Sequence, residues 1–113
     1  MKVIDSSFLF AVYSPRDEHH EKAIKLSQAH QGELMLITTP ILQELITILK
    51  YKLGASEAKT AFDEITSLQS FEIIELNDSD LEEIYQLFFD DNTLSFQDCT
   101  VIRLARKSNC QIL

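Results

Sequence analysis

The first ten residues, MKVIDSSFLF (1–10), place a carboxylate between two apolar runs. Residues 2–4 have the composition of a buried strand, and residues 8–10 are just as apolar, yet Asp5 stands between them with two serines behind it. Leaving a buried carboxylate unpaired costs far more free energy than a small domain can spare. Asp5 is therefore expected to be solvated, paired with another group or bound to a metal ion.

Beyond this stretch, short apolar runs alternate with segments of helical periodicity. The runs at 2–4, 34–37, 71–76 and 110–113 are interpreted as strands. Strands that alternate with helices are typical of an α/β domain with a mostly parallel sheet and right-handed crossovers. The sequence of 113 residues therefore predicts a single α/β domain with about four strands.

Six helices are predicted from their end signals and their apolar periodicity. In chain order they are expected to begin at Ser6 or Ser7, near residue 17, after Thr39, at Ser56, at Ser79 and at Ser95. Thr39 is the expected N-cap of the third helix, with Pro40 at its first position and Gly54 at its end. Ser79 with Glu82, and Ser95 with Asp98, have the spacing of capping boxes.

The composition limits the possible partners. A net charge of −8 argues against a protein that holds nucleic acid by a broad basic face, but it does not exclude an enzyme that grips phosphate through divalent cations. No apolar run approaches the roughly 18 residues that span a bilayer, and no export signal is recognised. We therefore expect a cytoplasmic protein without membrane contact, in which Cys99 and Cys110 are reduced thiols.

Three acidic residues are candidate site residues, and each has an ordinary structural alternative. Asp5 follows the first strand, where ligands bind in open α/β sheets, but it could also cap the first helix. Glu44 falls in the second turn of the third helix and could be a solvated surface residue. Asp98 falls in the first turn of the sixth helix and could be only a cap. Spacing alone does not show that the three side chains meet.

Three segments together resemble the PIN-domain family, in particular its small VapC-type toxins. They are VIDSSFLFAV (3–12), TTPILQELITIL (38–49) and LSFQDCTVIRLA (94–105). The family has a hydrophobic–Asp–Ser/Thr–Ser/Asn motif at its N-terminus, a Glu in an apolar helix after the second strand, and Leu-Ser-x-x-Asp-Ala before a helix. This sequence departs from the last motif in having Cys99 where the family usually has alanine. The resemblance covers nearly the whole chain in the same order. It implies a PIN-like three-layer α/β/α domain with a mostly parallel central sheet.

The resemblance also implies an acidic site at the carboxyl edge of the sheet. Asp5, Glu44 and Asp98 would converge there as catalytic residues and as ligands of Mg²⁺ or Mn²⁺, which prefer oxygen donors. A metal-activated water would then hydrolyse RNA phosphodiester bonds. Ser6 matches the serine or threonine that follows the first aspartate and is expected to orient a ligand or water. Ser95 is expected to support the site as a cap.

The resemblance is incomplete at the C-terminal end of the sequence. The family usually continues past the fourth strand with Thr-x-Asp, which supplies a fourth acid, and then with a last helix and strand. Here the sequence reaches Leu113 first, so the domain is expected to lack those elements and to bind divalent ions more weakly. Our hypothesis is that Asp90, Asp91 or the terminal carboxylate of Leu113 partly replaces the fourth acid.

The resemblance implies a divalent-metal-dependent endoribonuclease of the toxin–antitoxin class. RNA would be its substrate, a cognate antitoxin its inhibitor and a second copy its dimer partner, with Ile46, Leu49 and Leu53 as candidate interface residues. An alternative is a catalytically impaired PIN-like protein that acts as a partner-binding module. A receiver-like signalling domain fits less well, because the first strand is followed by one acid rather than a pair.

Overall fold

The computed structural model describes all 113 residues and contains one four-stranded sheet. The strands are β1 (Lys2–Val3), β2 (Met35–Thr38), β3 (Phe71–Ile74) and β4 (Gln111–Ile112). The helices are α1 (Ser6–Tyr13), α2 (His20–Ala29), α3 (Thr39–Leu53), α4 (Ala55–Ser67), α5 (Asp78–Asp90) and α6 (Phe96–Ser108). No helix is both long enough and apolar enough to cross a membrane.

All strand pairs are parallel, and the order across the sheet is β3-β2-β1-β4. The two crossovers from β1 to β2 and from β2 to β3 run in the same direction, whereas the crossover from β3 to β4 returns past them. Right-handed crossovers in opposite directions place their helices on opposite faces. Helices α1–α4 therefore cover one face and α5–α6 the other, which confirms the predicted three-layer α/β/α architecture.

The order of the strands creates a switch point between β1 and β4. The chain leaves β1 toward one side of the sheet and enters β4 on the other side. In open α/β sheets, the carboxyl ends of two strands at such a point flank a crevice in which ligands bind. The crevice here is bounded by Asp5, which follows β1, and by Leu113, which follows β4. The Asp5 N–H donates to the Leu113 carbonyl oxygen at 3.3 Å.

The hydrophobic core lies between the central strands and α3. Every residue of β2 is buried, and from α3 the apolar side chains of Ile41, Leu45 and Leu49 are completely excluded from solvent. The sequence suggested Leu49 as a dimer-interface residue. The structure contradicts this suggestion, because the Leu49 side chain is completely buried in the core of the domain. Ile46 and Leu53 are only partly buried and pack against the edge of the same core.

The structure moves several predicted helix starts. Helix α2 begins at His20 rather than near residue 17, because the Asp17 carboxylate accepts the His19 N–H and closes a turn ahead of the helix. The N-cap position of α3 is Thr38 rather than Thr39. Helix α4 begins at Ala55, one residue earlier than expected.

Helix α5 has a capping box formed by other residues than predicted, whereas the capping box predicted for α6 is confirmed. In α5 the box joins Asn77 to Asp80, not Ser79 to Glu82: the Asp80 N–H donates to Asn77 Oδ1 at 2.8 Å, and the Asn77 N–H donates to Asp80 Oδ2 at 2.9 Å. In α6 the box joins Ser95 to Asp98 as expected.

Candidate functional site

Asp5 occupies the N-cap position of α1 without acting as a side-chain cap. Its backbone is extended, with φ −90° and ψ 150°, but its carboxylate accepts no N–H from the helix. The carboxylate instead accepts the Ser7 hydroxyl at 3.1 Å. The ordinary capping explanation for Asp5 therefore does not hold, and its partly exposed side chain is available at the carboxyl end of β1.

Ser6 and Glu44 are brought together across 38 residues of sequence. The Ser6 hydroxyl is buried and donates to Glu44 Oε2 at 2.6 Å. Glu44 lies in the second turn of α3 and is partly buried, so it is not a freely solvated helix residue. This hydrogen bond fixes a carboxylate from α3 against the residue that follows Asp5.

Asp98 uses one carboxylate oxygen as a cap. The Ser95 N–H donates to Asp98 Oδ2 at 3.0 Å, and the Asp98 N–H donates to Ser95 Oγ at 3.1 Å. The other oxygen, Oδ1, accepts no hydrogen bond from the protein, and the residue is exposed at the start of α6. Because α6 packs against both β1 and α3, the three candidate acids are carried by elements that contact one another.

Asp91 and Asp98 lie on either side of the turn between α5 and α6. The hydroxyl and the N–H of Thr93 both donate to the Asp91 carboxylate and lower its pKa below the usual range. Burial raises the pKa of the Cys99 thiol, and the nearby charges of Asp98 and Asp91 raise it further. The lowered pKa favours the ionised form of Asp91. The negative charges of Asp91 and Asp98 both lie close enough to the buried Cys99 thiol to disfavour its ionisation. The neighbouring Asp90 is exposed at the end of α5.

The donor chemistry of these residues fits a hard divalent cation, although the side chains do not form a closed ligand set. No group of three or more His, Cys, Asp or Glu side chains stands close enough together to hold a metal ion. Mg²⁺ characteristically keeps several waters and takes only one or two carboxylates together with substrate oxygens. Asp5 and Glu44 would supply such carboxylates. The convergence of Asp5, Glu44 and Asp98 stays a prediction.

A second group of charged residues joins α5 to α6, and the sequence analysis did not identify it. The Asp80 carboxylate is only 2% exposed and accepts hydrogen bonds from Arg103 Nε at 3.0 Å and Lys107 Nζ at 3.2 Å. Arg103 and Lys107 are four residues apart and so share one face of α6. This spacing in the sequence indicates that the two cations lie on the same side of α6. It does not indicate which acidic residue pairs with them.

These features define an α/β protein with acidic side chains at the carboxyl edge of a parallel sheet. The PIN domain family model matches residues 2–113, so this chain belongs to the PIN domain family. A search of curated proteins by sequence found no match.

Two solved structures share the fold. The Mycobacterium tuberculosis toxin VapC20, described as cleaving the sarcin-ricin loop, superposes with a TM-score of 0.87 at 20% identity, covering 97% of this chain and 85% of that one. A chain from a toxin–antitoxin complex of Klebsiella pneumoniae superposes with a TM-score of 0.73 at 16% identity, covering 99% of this chain and 83% of that one. Both similarities confirm the PIN-like architecture.

Proposed function

We propose that this chain is a divalent-metal-dependent endoribonuclease of the toxin–antitoxin class. The observation that supports the proposal is the hydrogen bond from Ser6 to Glu44, which ties a carboxylate of α3 to the residue that follows Asp5. PIN-domain nucleases generally use divalent metal ions, and this chain matches the family over residues 2–113. Oxygen donors at this edge are what such an ion requires.

Asp5, Glu44 and Asp98 are the proposed metal ligands and catalytic residues, with Mg²⁺ or Mn²⁺ as the ion. A bound ion of this kind lowers the pKa of a coordinated water and offsets charge at phosphorus. The protein's part is orientation: the Ser6 and Ser7 hydroxyls hold Glu44 and Asp5, and the Ser95 N–H holds Asp98. Asp91, kept ionised by Thr93, is the proposed supporting acid.

RNA is the proposed substrate, and an antitoxin the proposed inhibitor. VapC20 is described as a toxin that cleaves the sarcin-ricin loop, and the Klebsiella pneumoniae chain belongs to a toxin–antitoxin complex. Large apolar side chains are exposed on α5 and at the start of α6, including Phe89 at 75% and Phe96 at 41%. Exposed apolar surface of this kind marks protein interfaces, which suits an antitoxin or a second copy in a homodimer. We propose the cytoplasm as the place where this protein and its antitoxin act.

The direct test is cleavage of labelled RNA by the purified chain. We expect cleavage with Mg²⁺ or Mn²⁺, its loss when EDTA is added, and its recovery when excess Mn²⁺ is supplied, because the carboxylates act through the ion. Products are resolved on a denaturing gel. Cleavage that resists EDTA would overturn the metal-dependent mechanism. Absence of cleavage under all conditions would favour the partner-binding alternative.

The double role of Asp98 can be separated by Asp98→Asn. Asparagine keeps a side-chain oxygen for the Ser95 N–H, so the cap should survive and the free energy of unfolding should change by less than about 0.5 kcal/mol. Loss of a ligand charge should nevertheless lower Mn²⁺ affinity and cleavage by about 10-fold or more. Affinity is measured by titration calorimetry and stability by urea denaturation. Unchanged affinity and cleavage would leave Asp98 as a cap alone.

A further inference from the structure

A cavity of about 320 Å³ opens at the switch point, directly beside Asp5. It lies where α1, α2 and the end of β4 approach one another. Its walls include Asp5, Phe8, His19, Lys22, Leu26 and Leu113. The cavity therefore adjoins the proposed catalytic edge and shares Asp5 and Ser7 with it, whereas its other walls are residues that the proposed mechanism does not use.

The walls divide into an apolar part and a charged rim. Phe8 and Leu26 are partly buried and supply an aromatic and an aliphatic surface. Lys22 is exposed at the rim and forms no ion pair within the protein. In a chain with a net charge of −8, which has no broad basic face, a lysine at the rim of this cavity offers a cation that a phosphate could contact.

We propose that this cavity binds one nucleotide of the RNA next to the cleaved bond, an inference that rests on the proposed ribonuclease function. The base would lie against Phe8 and Leu26, and its backbone phosphate would contact Lys22. The volume is at the lower end of the roughly 300–1,000 Å³ range of ligand pockets, which suits a single nucleotide. Proteins that read RNA sequence typically take unstacked bases from single-stranded loops and place them on aromatic side chains. The cavity would thus select the base beside the scissile phosphate.

Lys22 has a matched control on the same helix. Lys25 is also an exposed lysine of α2, three residues further on, but it does not line the cavity. Replacing either lysine by Gln changes the net charge equally. Any difference between Lys22→Gln and Lys25→Gln therefore reports the cavity rather than the overall charge of the protein.

The first measurement is RNA binding to a cleavage-deficient Glu44→Gln protein, followed by fluorescence anisotropy of a labelled single-stranded RNA at several salt concentrations. Lys22→Gln should weaken binding several-fold and flatten the slope of log K against log salt by about 0.7, the value for one phosphate contact on a single strand. Lys25→Gln should leave both quantities near those of the parent. Equal effects of the two substitutions would overturn the proposal.

The second measurement tests the base. A single abasic site is moved along the same RNA, and one position should weaken binding to the parent protein several-fold more than the others. In Leu26→Asn, whose folding is checked by thermal melting, that positional effect should disappear because the apolar wall is lost. A loss spread evenly over all positions, or one that persists unchanged in folded Leu26→Asn, would contradict base binding in the cavity.

The two proposals fail differently. If wild-type protein cleaves RNA while Lys22→Gln and Lys25→Gln behave alike, the nucleotide cavity is wrong and the ribonuclease function stands. If the wild-type protein neither binds nor cleaves RNA, the ribonuclease function fails and the cavity proposal fails with it.

Discussion

Replacing Asp5 by Asn is expected to reduce RNA cleavage by at least about 100-fold while the fold stays intact. Asparagine has nearly the same shape and can still accept the Ser7 hydroxyl, so little packing is lost. It lacks the negative charge that attracts a hard cation. A catalytic metal ion contributes several kcal/mol of transition-state stabilisation, and each 1.36 kcal/mol corresponds to about tenfold in rate. The rate is measured from initial velocities on labelled RNA with saturating Mn²⁺.

The matched control for this substitution is Asp63→Asn. Asp63 is an exposed residue of α4 whose carboxylate pairs with Lys59 at 2.7 Å, and it is not one of the proposed site residues. Its replacement makes the same change in charge and should leave cleavage within about twofold of wild type, because an exposed, solvated charge that is not a metal ligand is largely screened by salt. Full activity of Asp5→Asn would remove Asp5 from the catalytic site and with it the proposed mechanism.

The strands and helices were largely predictable because their signals are local. Residues 34–37 form an unbroken apolar run, and a run of this kind becomes a central strand of a parallel sheet, here β2 (Met35–Thr38). Gly54 ends α3 with a φ of 111°, a conformation that glycine adopts readily, so the sequence located this boundary correctly. The predicted bounds of the strands were less accurate, because the residue at which a strand ends depends on its pairing with the neighbouring strand. Residue 76, for example, lies beyond the end of β3 at Ile74.

The capping of α5 shows why local signals were insufficient elsewhere. Asn77 with Asp80, and Ser79 with Glu82, have the same spacing, and both serine and asparagine are good N-caps. The structure uses the first pair because Asp80 is also held by Arg103 and Lys107 from α6. That contact spans more than 20 residues and has no counterpart in the local pattern of α5.

The candidate site was located by resemblance more than by residue spacing. Asp5 was identifiable as the residue that follows the first strand, but the contact between Ser6 and Glu44 depends on how α3 packs against the end of β1. The position of β4 beside β1 was not predictable from the sequence either, since parallel neighbours are set by crossover direction rather than by local residues. That placement creates the cavity containing Lys22, which is why sequence reasoning missed it.

Replacing Asp80 by Ala is expected to lower the free energy of unfolding by about 3 kcal/mol at pH 7. The substitution removes the acceptor for the Asn77 N–H, a cap worth about 1 kcal/mol, and it leaves Arg103 and Lys107 without their buried partner. Burial by itself would raise the pKa of Asp80, but the hydrogen bonds from Asn77, Lys107 and Arg103 outweigh it and hold the pKa below its usual value. The native state therefore favours the ionised carboxylate.

The lowered pKa of Asp80 also fixes the direction of the pH dependence. Its contribution is fully present above the unfolded-state pKa of about 3.9 and is lost as pH falls through the lower folded-state pKa. Urea denaturation from pH 7 down to pH 2.5 should show the wild type and Asp80→Ala converging at the acid end. Asp78→Ala is the control, because Asp78 is an exposed acid of the same first turn without an ion pair, and it should cost less than about 0.5 kcal/mol. A gap between Asp80→Ala and wild type that stays constant with pH would mean that lost packing, rather than the ionised carboxylate, accounts for the destabilisation.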